Sequence, residues 1–112
     1  MWLMTKFGFF SIVEKYKDKE NSMLTIRGRI LSDFDALRQF SPQMTEVIST
    51  TDADYPYRTR IPKKDFAIAL FKIAMNIDYS NYKNEVLKTQ GHDRACLYSE
   101  VWAILRNLEN IQ

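Results

Sequence analysis

At 112 residues, with 46% apolar and 27% charged side chains, the chain has the size and balance of one soluble α+β domain, residues 1–112, that buries a core without disulfide or metal. Sixteen Lys and Arg against fourteen Asp and Glu leave a net charge of +2, too little by itself to imply nucleic acid, so an electrostatic argument must rest on clustering. No apolar run approaches the roughly 20 residues of a membrane span, and the single cysteine, Cys96, excludes an internal disulfide and fits a reducing cytoplasm, where it is expected to be buried or half-buried.

Residues 1–15 read as one long apolar strand with Gly8 inside it, rather than as a cleaved leader, because no basic stretch precedes the apolar residues and no small-residue cleavage pattern follows. A glycine within a strand marks a bulge or a close packing contact. Tyr16 to Ser22 is charged and suits a solvated hairpin loop. Met23 to Ile30 alternates, with Leu24, Ile26, Gly28 and Ile30 on one face and Thr25, Arg27 and Arg29 on the other, the pattern of a half-exposed second strand. Ser32-Asp-Phe-Asp35 has the form of a capping box opening a short helix that carries Phe34, Leu37 and Phe40 and stops at Ser41-Pro42.

Met44 to Thr51 is β-branched and reads as a third strand, with Asp52 and Asp54 in the following turn and Tyr55 to Ile61 as the fourth. Lys63 to Asp78 is the strongest helix, with one stripe of Phe66, Leu70, Ile73, Ala74 and Ile77 and a second of Ile68, Phe71 and Met75. Two stripes require two coverings, the sheet and the C-terminal segment. A shorter helix follows within Tyr79 to Gln90, and Asp93 is placed to cap a last one carrying Leu97, Tyr98, Val101, Trp102, Leu105 and Leu108.

From the second strand onward, strand, helix, strand, strand, helix is the split βαβ order of a ferredoxin-like fold without its last strand. The N-terminal strand can fill that place. The expected architecture is therefore a four-stranded antiparallel sheet in order 1-2-4-3, a circularly permuted ferredoxin-like arrangement, with helices packed on it and two C-terminal helices. A different antiparallel α+β sheet is the alternative.

In that sheet Arg27 and Arg29 leave one face of the second strand, and Arg58 and Arg60 the same face of its central neighbour. Guanidinium groups fork onto phosphates and stack on bases, so these four are the candidate ligand-binding residues. Phe10, Trp2 or Tyr16 could add stacking surface, and Lys6, beside Gly8, is a further candidate cation. The bland account makes the arginines cross-strand partners of Glu14, Glu46 and neighbouring acids on an ordinary solvated face, or buried partners of Glu85, Glu100 or Glu109 beneath the terminal helices.

His92 has no Cys or His partner at zinc spacing, and Asp52 and Asp54 are explained by turn chemistry, so no metal site or cofactor is expected. No serine elbow, Cys-His pair or glycine-rich phosphate loop is visible, and catalysis has no positive support. Tyr79, Asn81, Tyr82 and Lys83 read as a polar-aromatic helix junction.

Met1-Trp2, Thr5-Lys6, Gly8-Phe9-Phe10-Ser11, Arg27, Arg29, Asp54-Tyr55, Arg58, Ile77-Asp78-Tyr79 and Tyr82-Lys83 together give a pattern spread over most of the chain. It resembles a family of small uncharacterised bacterial proteins that begin with Trp, Thr-Lys and Gly-Phe-Phe-Ser. The resemblance implies no activity.

The residues favour a non-enzymatic binding module that takes single-stranded nucleic acid or another anionic partner on the arginine face. The alternative is a protein-interaction or regulatory module working through the C-terminal helices, as a homodimer or with another protein. A metal-independent nuclease rests on fold analogy alone.

Overall fold

The structure, a computed structural model, describes residues 1–51 and 54–111. The chain forms two compact units, Met1–Ile77 and Asp78–Gln112. The first holds a sheet of five antiparallel strands, β1 (Trp2–Thr5), β2 (Gly8–Val13), β3 (Met23–Gly28), β4 (Ile48–Ser49) and β5 (Tyr57–Pro62), in the order β1-β2-β3-β5-β4. Helices α1 (Leu31–Phe40) and α2 (Lys63–Met75) complete that unit.

Five strands replace the expected four because the apolar N-terminal stretch folds back on itself. Thr5 Oγ1 accepts from the amides of Gly8 at 3.0 Å and Phe7 at 3.3 Å, and donates to the Gly8 carbonyl at 2.9 Å. That side chain closes a two-residue turn at Lys6-Phe7 and pairs Trp2 with Ser11 and Thr5 with Gly8. The expected third strand shrinks to Ile48–Ser49. On either side of it the backbone makes single bonds to the β5 segment, Thr45 N to Arg60 O at 2.9 Å and Thr50 N to Pro56 O at 2.7 Å. Asp52 of the expected turn lies outside the described residues.

The core lies on one face of the sheet, where Phe10, Ile12, Ile26 and Ile61 meet Phe34 and Leu37 of α1, Phe66 of α2 and Met44. Each such side chain contributes about 1.5–3 kcal/mol by leaving water. Two glycines let α1 approach this closely. A Cβ on Gly28 would stand 2.7 Å from Phe34 Cε2, and one on Gly8 would stand 2.7 Å from Asp33 Cβ, so Gly8 marks close packing rather than a bulge.

Helix α1 begins two residues earlier than the capping box requires. Ile30 is its N-cap and makes no side-chain cap bond, which leaves Ser32 inside the first turn. Asp33 instead reaches across to the sheet and accepts from the Phe9 amide at 3.1 Å. At the other end Arg38 donates to the carbonyls of Met44 and Thr45, holding the crossing to β4 against the helix. Helix α2 turns Phe66 and Ala69 inward, while Ile68, Phe71 and Met75 of its second stripe are exposed.

The second unit is an α-hairpin of α3 (Tyr82–Gln90) and α4 (His92–Leu105). Asn81 caps α3 by accepting from the Asn84 amide at 2.9 Å, and Gly91 at φ 94° makes the reversal into α4. Asp93 therefore lies inside α4 rather than capping it. Tyr82 stacks on Tyr98 at 6.0 Å, so the polar-aromatic junction belongs to the packing between these helices.

Phe34 is itself buried and cannot swing away from a new methyl group. Gly28→Ala is expected to cost about 1–3 kcal/mol, read as a lower urea midpoint at unchanged slope. Ser32→Ala, removing a hydroxyl that caps nothing, is expected to stay within about 0.5 kcal/mol of the parent.

Candidate anion-binding face

The face of the sheet opposite the core is defined by register. Arg27 pairs with Arg58 and Thr25 with Arg60, while Ile26 opposes Thr59 and Leu24 opposes Ile61. Directly opposed residues point to the same side, so the apolar set goes to the helices and the guanidinium set to the other face. Ser11 extends the row on β2, and Arg29, just past the end of β3, shares the Tyr55 ring with Arg27.

The four arginines are held differently. Arg27 donates from Nη2 to Ser11 Oγ at 2.8 Å, and Arg29 from Nη1 to the Asp54 carbonyl at 2.7 Å. Both guanidinium groups also lie over the Tyr55 ring, at 4.8 and 4.6 Å from its centroid. Arg60 is bound by a carboxylate, with Nε 2.8 Å and Nη2 2.7 Å from Asp18 Oδ1. Arg58 has no hydrogen-bonding or ion-pair partner among the described residues, and its Nε is buried.

Hence three of the four cations have no carboxylate among the described residues. Glu14, expected to neutralise one of them, pairs with Lys63 at 2.7 Å, and Glu46 is exposed. Placing Arg27 directly opposite Arg58 is unfavourable for the sheet. An anion seated between the two guanidinium groups would remove that repulsion.

Asp18 comes from the segment expected to be a solvated loop. Tyr16–Asn21 is a 3-10 turn that folds its one buried residue, Asp18, under the end of the sheet, with Ser22 at φ 52° closing it. Oδ2 accepts from the Thr25 hydroxyl at 2.7 Å and the Lys15 amide at 2.8 Å, and Oδ1 takes Arg60. Burial by itself would raise this carboxyl. The Thr25 hydroxyl, the Lys15 amide and the Arg60 guanidinium outweigh it and hold the group below the ordinary aspartate value.

Two predicted site residues are not on this face. Phe10 is buried in the core, edge-on to Phe34 at 5.6 Å. The reason is the hairpin: Trp2 and Phe10 would share a face in one continuous strand, but the turn reverses the parity and pairs Trp2 with Ser11. Lys6 sits half-buried in the turn itself, where strand alternation assigns it to neither face. Trp2 is on the arginine side and exposed, with Phe9 edge-on at 5.8 Å, and Tyr16 is exposed in the 3-10 turn.

Sequence reasoning passed over Asp18 and Tyr55, the residues that immobilise three of the arginines. It weighed His92 and Cys96 separately and missed that α4 brings them together, at 3.4 Å between Nε2 and Sγ, by their i,i+4 spacing. Cys96 is exposed rather than buried. Among the described residues no group of three His, Cys, Asp or Glu could hold a metal ion. No helix among them is long and apolar enough to cross a membrane.

No family model, curated protein or solved structure matches the chain.

Because the Asp18 carboxyl is depressed on folding, its stabilisation is full above the unfolded value of about 3.9 and disappears as pH falls through the lower folded value. Asp18→Asn is expected to cost about 1–3 kcal/mol at pH 7, with the difference from the parent narrowing below pH ~4. Urea melts of both proteins from neutral pH into acid check the loss and its pH window.

Proposed function

We propose that the protein is a non-enzymatic binding module that takes a polyanionic partner, single-stranded nucleic acid above all, on the sheet face bearing Arg27, Arg29, Arg58 and Arg60. The observation that carries this reading is Arg58: a cation directly opposite a second cation, with no partner among the described residues. A polyanion satisfies that arrangement better than a lone small ion, because the guanidinium groups occupy several neighbouring strand positions. Two of them are also steadied by Tyr55, which limits the side-chain entropy lost on binding.

The sheet is best described as a circularly permuted ferredoxin-like arrangement with one strand added. The order β2-β3-β5-β4 supports this, since β3-α1-β4-β5-α2 supplies the split βαβ unit and β2 stands where that fold's last strand would lie. Within the first unit, an antiparallel sheet with its helices on one side only suits recognition of single strands on the other. A cytoplasmic setting accords with the exposed free thiol of Cys96.

Binding of a fluorescent oligonucleotide, followed by polarisation, is expected to weaken about 10- to 20-fold between 50 and 200 mM salt if about three phosphates are engaged. Arg27→Ala with Arg58→Ala should lower the slope of log affinity against log salt by about 1.4. The same double variant should melt no lower than the parent, because it removes a like-charge pair.

A second reading is supported by a separate observation. In the second unit Leu97, Trp102, Ile104, Leu105 and Leu108 are exposed, and a hollow is lined by Trp102, Leu105, Arg106 and Glu109. Such a surface suits protein interaction, including a homodimer. Sedimentation equilibrium at rising concentration is expected to show a mass above 13.3 kDa if copies associate. Trp102→Ala with Leu105→Ala should then restore the monomer.

A further inference from the structure

The ladder registers put Trp2, Ser11, Arg27, Arg58 and Ile48 at one level, in that order, across all five strands. Opposed residues share a face, so the five side chains form a row perpendicular to the strands. With strands spaced about 4.8 Å apart, Trp2 and Arg58 stand about 14 Å from each other along this row. The row begins with an aromatic ring, has cations in the middle and ends on an aliphatic side chain.

Trp2 is 68% exposed, and Ile48 at the far end 63%. Trp2 meets Phe9 edge to face, at an interplanar angle of 81°, so at least one face of the indole is not taken up by Phe9. An acidic protein segment or a polyphosphate would use the guanidinium groups but has no use for that ring. A duplex keeps its base faces stacked internally. An unpaired strand offers phosphates and free base faces together.

We propose that single-stranded nucleic acid crosses the sheet along this row, with a base stacked on Trp2 and its phosphates on Arg27 and Arg58. The inference rests on the arginine face being an anion-binding surface, and adds to that reading the direction of the strand across the sheet and a stacking role for Trp2.

The chain has two tryptophans, so Trp102→Phe leaves Trp2 as the sole indole reporter. That protein is titrated with a 12-nucleotide oligothymidylate, a 12-base-pair duplex, inorganic polyphosphate and polyglutamate. Trp2 emission is expected to be quenched by the single strand and not by polyphosphate. Trp2→Ala should weaken the single strand about 5- to 100-fold at an unchanged salt slope, while Trp2→Phe keeps most of the affinity. Thermal melts of both variants establish that the edge strand still folds, and quenching in the unsubstituted Trp2 protein does not depend on them.

Equal binding of the single strand and polyphosphate, without quenching and without effect of Trp2→Ala, overturns the stacking role while the arginine face stands. Tighter binding of the duplex or of polyglutamate overturns the assignment of ligand class. Failure of all four polyanions to bind overturns the arginine-face reading itself.

Discussion

The pairing of β3 with β5 is the constraint on which the remaining architecture depends. Leu24, Ile26 and Ile61 must all face the helices, and a slip of one residue would carry them into water and the arginines into the core. Burial of these side chains is worth several times what a pair of opposed like charges costs at a partly solvated surface. Apolar packing on one side therefore imposes the juxtaposition of Arg27 and Arg58 on the other. The repulsion is tolerated because the register that would relieve it is far worse.

Around that pair the protein distributes its compensation unevenly. Asp18 neutralises Arg60, Tyr55 lies against Arg27 and Arg29, and Ser11 orients Arg27. Arg60 remains 41% exposed, whereas the Asp18 side chain is fully enclosed, so the ion pair works chiefly to hold the 3-10 turn against the sheet. Removing the carboxylate would leave the Thr25 hydroxyl and the Lys15 amide without their acceptor as well. The local fold thus depends on Asp18 through three donors, and the ion pair is one part of that network.

Much of the first unit was legible because period-two alternation is unambiguous in Met23 to Ile30, and the arginine parity in Tyr55 to Ile61 matches it. The N-terminal hairpin was not, since its turn lacks the Asn-Gly or Asp-Gly chemistry that marks such reversals and is closed by the Thr5 side chain instead. That single omission moved Phe10 to the wrong face. Asp18 was hidden for a related reason: a charged hexapeptide looks solvated until tertiary structure supplies a Thr25 and an Arg60 to surround one member of it. Ser32 and Asp93 satisfied capping patterns, but each helix starts two residues earlier, where chain reversal and sheet packing set the first turn.

The two units present different chemistry to their surroundings, and this separates the two functional readings. On the sheet face the exposed aromatic and aliphatic residues, Trp2 and Ile48, stand at the ends of a row whose centre is cationic. Exposed apolar side chains flanking unpaired charge match a ligand that is itself alternately charged and flat. Helix α4 instead exposes Leu97, Trp102, Ile104 and Leu105, with its nearby cations Lys83 and Arg106 lying over the Trp102 ring. There the cations are already engaged by an aromatic face and the remaining surface is apolar, which matches another protein surface far better than a polyanion. A ligand chosen for one of these surfaces has little to offer the other, so the two proposed readings, a polyanion on the sheet face and a protein on α4, can be tested separately.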